Sequence, residues 1–209
     1  MSTLDELHES IIVGNLENAV QCTNQAVEEN TDPINILNEG MIPAMDIVGK
    51  KFQDGEYFVP EMLMAARAMK GGMEILKPLL KKGGVKPKAK VLIGTVSGDL
   101  HDIGKNLVAI MLEGGGFEVI DAGVDVSANK FLDLAESGDI DILGLSALLT
   151  TTREEMKTVI DLFQKNELRD KIKIIVGGAP INDEFAQKIG ADGYSPDAAS
   201  AVQLANSLL

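Results

Sequence analysis

The residues best suited to chemistry lie in one short segment, Asp99-Leu100-His101-Asp102-Ile103-Gly104. An apolar run at 91–96 precedes it and predicts a buried strand, and apolar residues at helical spacing follow it. His101 is therefore expected on the loop between the carboxyl end of a strand and the next helix, where open α/β sheets bind ligands. The carboxylate of Asp99, two residues earlier, is suited to hydrogen bond the second ring nitrogen of a metal-bound histidine.

The chain offers few other ligands from which a metal site could be built. It contains two histidines, His8 and His101, and one cysteine, Cys22. A closed zinc site needs three or four protein ligands, so this composition does not predict one. A single histidine suffices when the other ligands come from a macrocycle, as in haem and corrinoid cofactors. The competing interpretation is an ordinary hydrogen-bonded surface histidine, which is what a lone histidine in such a loop more often is.

Three further strand ends carry small or hydroxyl residues. The third predicted strand is followed by Ser146, Leu148 and residues 150–152, and this threonine run can line a narrow channel. One of these threonines is also expected to cap the following helix. The fourth strand ends at Gly177-Gly178, which can let a flat group lie against the backbone or can simply form a tight turn. Near the fifth, residues 193–198 form another wall of mostly small side chains.

Several functional classes are disfavoured by composition and motif content. The 209 residues carry a formal net charge of -13, which argues against a nucleic-acid partner. No stretch approaches the roughly 18 apolar residues needed to span a bilayer, and the amino terminus lacks a signal-peptide pattern. We therefore predict no membrane association and a cytoplasmic location. A glycine-rich phosphate loop does not follow the first strand, so a nucleotide site is disfavoured.

The pattern of apolar residues changes once along the chain. Residues 1–84 show helical periodicity and predict a small helical bundle, with Thr3 and Glu6 as a possible first capping box. Residues 85–90 are lysine-rich, contain Pro87 and predict a linker. Residues 91–209 alternate strands and helices. The predicted strands are 91–96, 117–121, 141–145, 172–176 and 192–194, and the predicted helices are 103–114, 127–137, 152–165, 182–189 and 197–208.

This alternation predicts an α/β fold. Short connections and right-handed crossovers would give a doubly wound, five-stranded parallel sheet of the Rossmann or flavodoxin-like type. The amino-terminal helical bundle would be a separate domain, joined through the linker. In such a sheet the motif residues all fall at the carboxyl edge, because the carboxyl ends of parallel strands share one edge.

Taken together, these motifs resemble the cobalamin-binding module of the methionine synthase type, and most closely the corrinoid proteins of methylamine, methanol and betaine methyltransferase systems. The family pattern is Asp-x-His-x-x-Gly, then Ser-x-Leu, then Gly-Gly. Here it reads Asp99-x-His101-x-x-Gly104, Ser146-x-Leu148 and Gly177-Gly178, in order and after successive strands. Residues 49–69 also resemble the helical cap domain of these proteins, so the resemblance covers nearly the whole chain.

The resemblance implies cobalamin as cofactor, bound base-off and His-on. His101 would replace dimethylbenzimidazole as the lower cobalt ligand, and Asp99 would hydrogen bond its other ring nitrogen. In methionine synthases a serine continues this relay, and Thr152 stands in that place here. The cofactor-binding residues implied by the resemblance are Gly98, Asp99, Leu100, Asp102, Ile103, Gly104, Ser146, Leu148, Thr150, Gly177, Gly178, Ala198 and, in the cap, Phe52 and Val59.

The function implied by the resemblance is that of a methyl carrier, a subunit of an enzyme system and not an enzyme by itself. A substrate-specific methyltransferase would donate the methyl group, and a second methyltransferase acting on tetrahydrofolate or a thiol such as coenzyme M would accept it. A reductive activase would be a third partner. Three alternatives stay open: the cobalamin subunit of an adenosylcobalamin-dependent mutase, a corrinoid-sensing module, and a flavodoxin-like domain without cobalt.

Overall fold

The protein divides into two compact units in the computed structural model, which describes residues 2–82 and 86–209. One unit contains Met1–Pro87 with Gly114–Gly116, and the other contains Lys88–Glu113 with Phe117–Leu209. Residues 83–85, which span the predicted boundary between the helical bundle and the linker, lie outside the described residues. The boundaries predicted at 84 and 91 therefore stay a prediction.

The described residues of the first unit fold into helices that pack around an aliphatic and methionine-rich core. Buried side chains of this core include Leu7, Ile11, Ile36, Met41 and Met62. The helices are α1 Thr3–Ile12, α2 Leu16–Glu28, α3 Pro33–Asn35, a π-helical segment Ile36–Met41, α4 Ile42–Gln53 and α5 Val59–Lys82.

Two helix starts in this unit bear on the predictions from sequence. The capping box of α1 is formed by Ser2 and Asp5, one residue earlier than the predicted pair Thr3 and Glu6. Thr3 already lies inside the helix, and its hydroxyl donates to the carboxylate of Glu29 instead. Pro43 stands in the first turn of α4, directly after the π-helical segment, whose last hydrogen bond runs from the Ile42 N–H to the Leu37 carbonyl.

The second unit is an α/β sheet with all five strands parallel, in the order β2-β1-β3-β4-β5. This is the doubly wound order of flavodoxin-like folds, and the predicted fold class is confirmed. The strands are β1 Lys90–Val96, β2 Glu118–Val126, β3 Ile142–Ser146, β4 Lys173–Gly177 and β5 Gly193–Tyr194. The helices are α6 Ile103–Gly114, α7 Ala128–Gly138, α8 Glu154–Lys165, α9 Asp183–Ile189 and α10 Ala198–Ser207.

The three central strands hold the core of this unit. Six of the seven residues of β1 are buried, and β3 and β4 are nearly as apolar, as strands covered on both faces should be. One cluster joins strand side chains such as Leu92 and Ile174 to the helices that follow β2, β3 and β4, with the rings of Phe131 and Phe163 fully buried. This packing holds the strand ends in fixed positions.

The largest departure from the predicted elements is β2, which runs to Val126 instead of ending at residue 121. Its pairing with β1 shifts register twice, between Ile93 and Gly94 and again between Gly94 and Val96. Asp121, Gly123 and Asp125 are poor strand formers, which is why composition alone predicts an early end. The extension carries β2 alongside the loop that holds His101.

No helix among residues 2–82 and 86–209 combines the length and the apolar character that crossing a bilayer would need.

Candidate functional site

Three of the predicted motifs meet in one row at the carboxyl edge of the sheet. Thr95 of β1 is paired with Ser146 of β3, and Ser146 is paired with Gly177 of β4. The sheet order places β1 and β3 at the point where the chain reverses its direction of winding, and ligands bind at this point in open α/β sheets. The loops after β1 and β3 therefore leave the sheet side by side.

The loop after β1 begins with a tight turn. The N–H of Asp99 donates to the carbonyl of Val96 over 3.2 Å, and Gly98 has a φ of +79°, which favours glycine. The turn brings Asp99 back under the loop, so that its side chain is 0% exposed. The glycine is thus required by the backbone that places the buried carboxylate.

The carboxylate of Asp99 is the centre of the site. Its Oδ1 accepts from the backbone N–H of His101 at 3.1 Å and lies 2.7 Å from Nδ1 of the same residue. Its Oδ2 accepts from the N–H of Leu148 at 2.8 Å, the N–H of Leu149 at 3.3 Å and the hydroxyl of Thr152 at 2.7 Å. One carboxylate therefore ties the loop after β1 to the loop after β3.

These hydrogen bonds fix the ionisation state of Asp99. Burial by itself would raise the pKa of this carboxyl, but the Thr152 hydroxyl, the Leu148 N–H and the two His101 donors outweigh burial and hold the pKa well below its usual range. Asp99 is therefore a carboxylate at any pH near neutrality. Because a carboxylate only accepts hydrogen bonds, the neutral imidazole must carry its proton on Nδ1.

The imidazole of His101 points its other nitrogen outward. The side chain is 51% exposed, and no hydrogen bond to Nε2 is found within the described part of the chain. The backbone below it is fixed, because the hydroxyl of Thr95, itself buried, donates to the carbonyl of His101 over 2.8 Å. In its neutral form the imidazole therefore presents the lone pair of Nε2 to solvent in a held orientation.

The surface around His101 is apolar. Leu100 is 72% exposed and Ile103 is 77% exposed, and Leu148 and Leu149, which follow β3, also stand partly in solvent. Large apolar side chains are costly to expose, and a group of them around a polar atom is typical of a ligand surface. Such a surface can receive a flat apolar face, with Nε2 of His101 available as a ligand atom beside it.

Gly104 and Gly178 are glycines for different reasons. A Cβ added at Gly104, in the first turn of α6, would meet nothing within 4 Å, so the protein itself does not require glycine there. A Cβ at Gly178 would lie 1.9 Å from the carbonyl oxygen of Ala147, and φ is +130°. Gly178 is therefore explained by the close approach of two loops of the chain, whereas Gly104 leaves room beside His101.

The other predicted site residues are placed as follows. Ser146 and Gly177 are half-buried at the strand ends, and Thr150 is exposed in the loop after β3. Ala198 is buried in the first turn of α10. Asp102 is exposed and its Oδ2 accepts from the side-chain amide of Asn106 over 3.1 Å.

The two predicted cap residues lie in the helical unit. Phe52 is half-buried near the end of α4, and Val59 is exposed at the start of α5. The cofactor-binding roles of these two residues and of the other predicted residues stay predictions, because hydrogen bonds and packing within the protein do not test them.

The predicted capping role of the threonine run is wrong. Helix α8 begins after Arg153, which makes no side-chain capping hydrogen bond, and Thr152 donates to Asp99 instead. A carboxylate acceptor at 2.7 Å is stronger than the alternative acceptor, the Leu149 carbonyl at 3.1 Å. The extra methyl group of threonine is accommodated beside Gly98, because a Cβ added there would come within 3.6 Å of it.

Two residues of β2 and one of α6 belong to the site without having been predicted. The carboxylate of Asp125 accepts from the N–H of Gly98 over 2.7 Å. Lys105, whose side chain is almost fully buried, places its ammonium 2.6 Å from the carboxylate of Asp121. Both contacts join β2 to the first turns after β1. The sequence signal was weak: Lys105 stands in a mostly apolar helix, Asp121 is the last residue of the predicted strand, and Asp125 lies beyond that strand's predicted end.

No group of three or more histidine, cysteine, aspartate or glutamate side chains in residues 2–82 and 86–209 is placed to hold a metal ion.

Comparison with known proteins assigns both units. A family profile described as a B12 binding domain matches residues 89–203, and a second profile of the same description matches residues 3–77. The chain is 41% identical over 212 residues to a corrinoid protein of Desulfitobacterium hafniense (strain Y51), covering 100% of this chain and 98% of that protein. It is 42% identical over 207 residues to the dimethylamine corrinoid protein of Methanosarcina barkeri, covering 99% and 97%.

A solved structure agrees with this assignment. The crystal structure of the methanol:cobalamin methyltransferase complex from Methanosarcina barkeri contains a chain with a TM-score of 0.86 and 31% identity, covering 99% of this chain and 79% of that one. The predicted family and the predicted cofactor are confirmed. The chain therefore belongs to the methyltransferase corrinoid proteins, whose cofactor is cobalamin.

Proposed function

We propose that this protein carries cobalamin base-off and His-on, with Nε2 of His101 as the lower cobalt ligand, and shuttles a methyl group between two methyltransferases. The observation that carries this proposal is the pair His101 and Asp99. Nδ1 lies 2.7 Å from an ionised, fully buried carboxylate, while Nε2 faces solvent among exposed apolar side chains. A neutral imidazole held in this way is a prepared axial ligand.

The residues present fit a corrinoid. A planar macrocycle supplies the equatorial ligands itself, so one protein nitrogen is sufficient. The apolar side chains of Leu100, Ile103 and Leu148 would face the lower side of the ring, and the open space at Gly104 lets a bulky group approach the start of α6. When bound, cobalamin supplies a cobalt centre that can accept and release a methyl group.

The chain's own residues orient and tune the ligand. Asp99 accepts the Nδ1 proton's hydrogen bond and orients the imidazole, and Thr152 and two backbone N–H groups keep Asp99 ionised. Thr95 fixes the backbone beneath the ring. No side chain of this protein is required as an acid, base or nucleophile, which is consistent with a carrier subunit.

The rest of the cofactor would occupy the neighbouring strand ends. In this proposal the displaced nucleotide tail enters a slot bordered by Ser146, Thr150, Gly178 and Ala198. Phe52 and Val59 of the helical unit would cover the upper face of the ring. The domains of this proposal are 1–84 as the cap, 85–90 as the linker and 91–209 as the cobalamin-binding domain.

The partners in this proposal are three. The similarity to a dimethylamine corrinoid protein makes a dimethylamine:corrinoid methyltransferase the first donor partner to test. The acceptor would be a methyltransferase acting on tetrahydrofolate or on a thiol such as coenzyme M. A reductive activase would restore the carrier after accidental oxidation, and the proposed location is the cytoplasm.

The decisive experiment is reconstitution with hydroxocobalamin, followed by the visible spectrum of the wild type and of His101→Ala. We expect the wild type to retain the corrinoid through gel filtration with a His-ligated spectrum. We expect His101→Ala to lose that spectrum or to lose the corrinoid. His8→Ala is the matched control, because His8 is the chain's only other histidine and lies on α1.

The results show separately whether the protein binds the corrinoid and which histidine is the cobalt ligand. If wild type and His101→Ala bind with the same spectrum, His101 is not the ligand and the proposed mechanism is wrong. If His8→Ala alone changes the spectrum, the ligand lies in the helical unit. A methyl-transfer assay with purified donor methyltransferases then tests the carrier role.

A further inference from the structure

The carboxyl end of β2 carries an aspartate that no part of the corrinoid pattern includes. Asp125 is the second-to-last residue of β2, and the extension of this strand places it beside the loop after β1. Its side chain is exposed, so burial alone does not explain an acidic residue at this place. Its contacts are specific, and they all go to the turn that precedes His101.

Asp125 binds the two peptide groups on either side of the Gly98–Asp99 peptide. Its Oδ1 accepts from the N–H of Gly98 over 2.7 Å, and its own backbone N–H donates to the carbonyl of Asp99 over 3.0 Å. The hydroxyl of Ser97 lies 3.5 Å from the same Oδ1. The peptide that joins Gly98 to Asp99 is therefore held at both of its neighbours, and the direction of the Asp99 side chain follows from it.

The backbone of Asp125 also shows that this position is constrained. Its φ is +52°, in the left-handed region that side chains other than glycine, asparagine and aspartate rarely adopt. Glycine would adopt this conformation at lower cost but would have no acceptor for the Gly98 N–H. Aspartate combines the unusual backbone with the acceptor.

We propose that Asp125 is a positioning residue for the axial ligand, acting through Gly98 and Asp99 to hold the carboxylate of Asp99 against Nδ1 of His101. The inference builds on the proposed function, since it concerns the same imidazole. Asp125 does not touch His101 in this proposal. Its effect is to keep the Nδ1-protonated tautomer dominant and to leave Nε2 free as a ligand.

The test measures the imidazole directly in the corrinoid-free full chain. Nitrogen-15 NMR at a pH where imidazoles are neutral distinguishes the Nδ1-protonated from the Nε2-protonated ring, and the chain has only His8 and His101 to resolve. The variants are Asp125→Gly, which removes the acceptor and keeps the backbone conformation accessible, and Asp125→Asn, which keeps an acceptor oxygen. Amide hydrogen exchange of Gly98 is followed in the same samples.

For Asp125→Gly we expect the ratio of Nδ1-protonated to Nε2-protonated His101 to fall about fivefold, as the loss of one net hydrogen bond would produce. Exchange at the Gly98 amide should rise by a similar factor. Asp125→Asn should stay within about twofold of the wild type, because asparagine tolerates the left-handed backbone and still accepts from Gly98. His8 should not change in any variant.

The matched control is Asp139→Gly. Asp139 is also an aspartate with a φ of +52°, but it ends α7 and lies away from the site. This variant should leave His101 unchanged. An unchanged tautomer ratio in Asp125→Gly, or an equal change in Asp139→Gly, would overturn the proposal.

Failure of the proposed function would be recognised separately. If the wild type does not bind hydroxocobalamin through His101, the proposed function fails, yet the tautomer ratio still reports whether Asp125 positions the ring. If reconstitution succeeds, the visible spectrum gives a second readout. Asp125→Gly should then show a larger fraction of protein in which His101 is not bound to cobalt, and Asp125→Asn should match the wild type.

Discussion

Two aspartates at opposite edges of the same sheet have similar surroundings and different uses. Asp99 follows β1 at the carboxyl edge, and Asp192 precedes β5 at the amino edge. Each accepts from backbone N–H groups: Asp192 from Ile174 over 2.6 Å, and Asp99 from Leu148 over 2.8 Å. Each also contacts a nitrogen-bearing side chain closely, Asp192 with Arg169 at 2.8 Å and Asp99 with His101 at 2.7 Å, and Lys173 lies farther from Asp192, at 4.0 Å.

The two pairs differ in whether Arg169 or His101 keeps a nitrogen that makes no hydrogen bond within the described part of the chain. The other guanidinium nitrogens of Arg169 donate to the carbonyl of Gly190, so its donors are used within the fold. His101 uses Nδ1 and keeps Nε2 open to solvent. The Asp192 pair is therefore used entirely within the fold, whereas the Asp99 pair leaves one ring nitrogen of His101 available, as the proposed function requires.

The largest expected effect is the removal of either carboxylate. Asp99→Ala and Asp192→Ala should each lower the free energy of unfolding by about 3 kcal/mol, because each leaves backbone N–H groups without their acceptor. Only Asp99→Ala should also weaken hydroxocobalamin binding. Urea denaturation of the corrinoid-free protein gives the first quantity, and spectral titration gives the second.

Asp99→Asn is the second variant, to be used if Asp99→Ala does not fold. It keeps the shape of the side chain and one acceptor oxygen, so we expect it to fold with less loss of stability and still to change the spectrum of the bound corrinoid. Loss of corrinoid binding in a well-folded Asp192→Ala would contradict the expectation that only Asp99, at the carboxyl edge, affects binding.

The same two edges can be compared through glycines with positive φ. Gly178→Ala should lower the free energy of unfolding by about 3 kcal/mol, because the new methyl group meets the Ala147 carbonyl at 1.9 Å and the backbone must move. Gly190→Ala at the amino edge, with a φ of +80° and open space around it, should cost about 1 kcal/mol from backbone conformation alone. Thermal unfolding of both variants measures the difference, and equal losses would contradict it.

The depressed pKa of Asp99 predicts a pH dependence with a definite sign. Because the folded protein lowers this pKa below its ordinary value of 3.8, the ionised group stabilises the fold fully above that pH. The contribution is lost as the pH falls below it towards the lowered folded value. As the pH falls from about 4 to about 2, the unfolding free energy should therefore decline more steeply for the wild type than for Asp99→Asn. Parallel curves would show that Asp99 is not held ionised.

The smallest expected effect on stability comes from Gly104→Ala. Alanine is the better helix former, and the added methyl group meets nothing within 4 Å, so we expect a gain of about 0.5 to 1 kcal/mol. The dissociation constant for hydroxocobalamin should nevertheless rise about tenfold, because the open space is the proposed place of the cofactor. Unchanged binding would mean that the corrinoid does not approach this turn.

Much of this architecture was predictable from the sequence because it rests on local patterns. The apolar runs of β1, β3 and β4 and the helical spacing of α6 define elements that lie within a residue or two of their predicted bounds. The placement of His101 after β1 follows from those patterns alone. The order of the motifs along the chain then indicates the family.

What could not be predicted depends on contacts between distant residues. Thr152 and Asp99 are 53 positions apart, and the competing local role of Thr152 as a helix cap was equally consistent with the sequence. The extension of β2 depends on a register shift against β1, and Asp125 depends on a left-handed backbone at a residue other than glycine. Neither feature leaves a periodic signal in the composition of the segment.

The hydrogen bonds that hold the loop after β1 determine which motions can reorient the imidazole of His101. The backbone at 95–101 is tied to the carbonyl of Val96, to Asp125 on β2 and to the hydroxyl of Thr95. Turning the imidazole away then requires only rotation about its two side-chain bonds, a motion far faster than the microseconds and longer of collective domain motions. If His101 is the ligand that we propose, its imidazole would bind and leave the cofactor without a rearrangement of this loop.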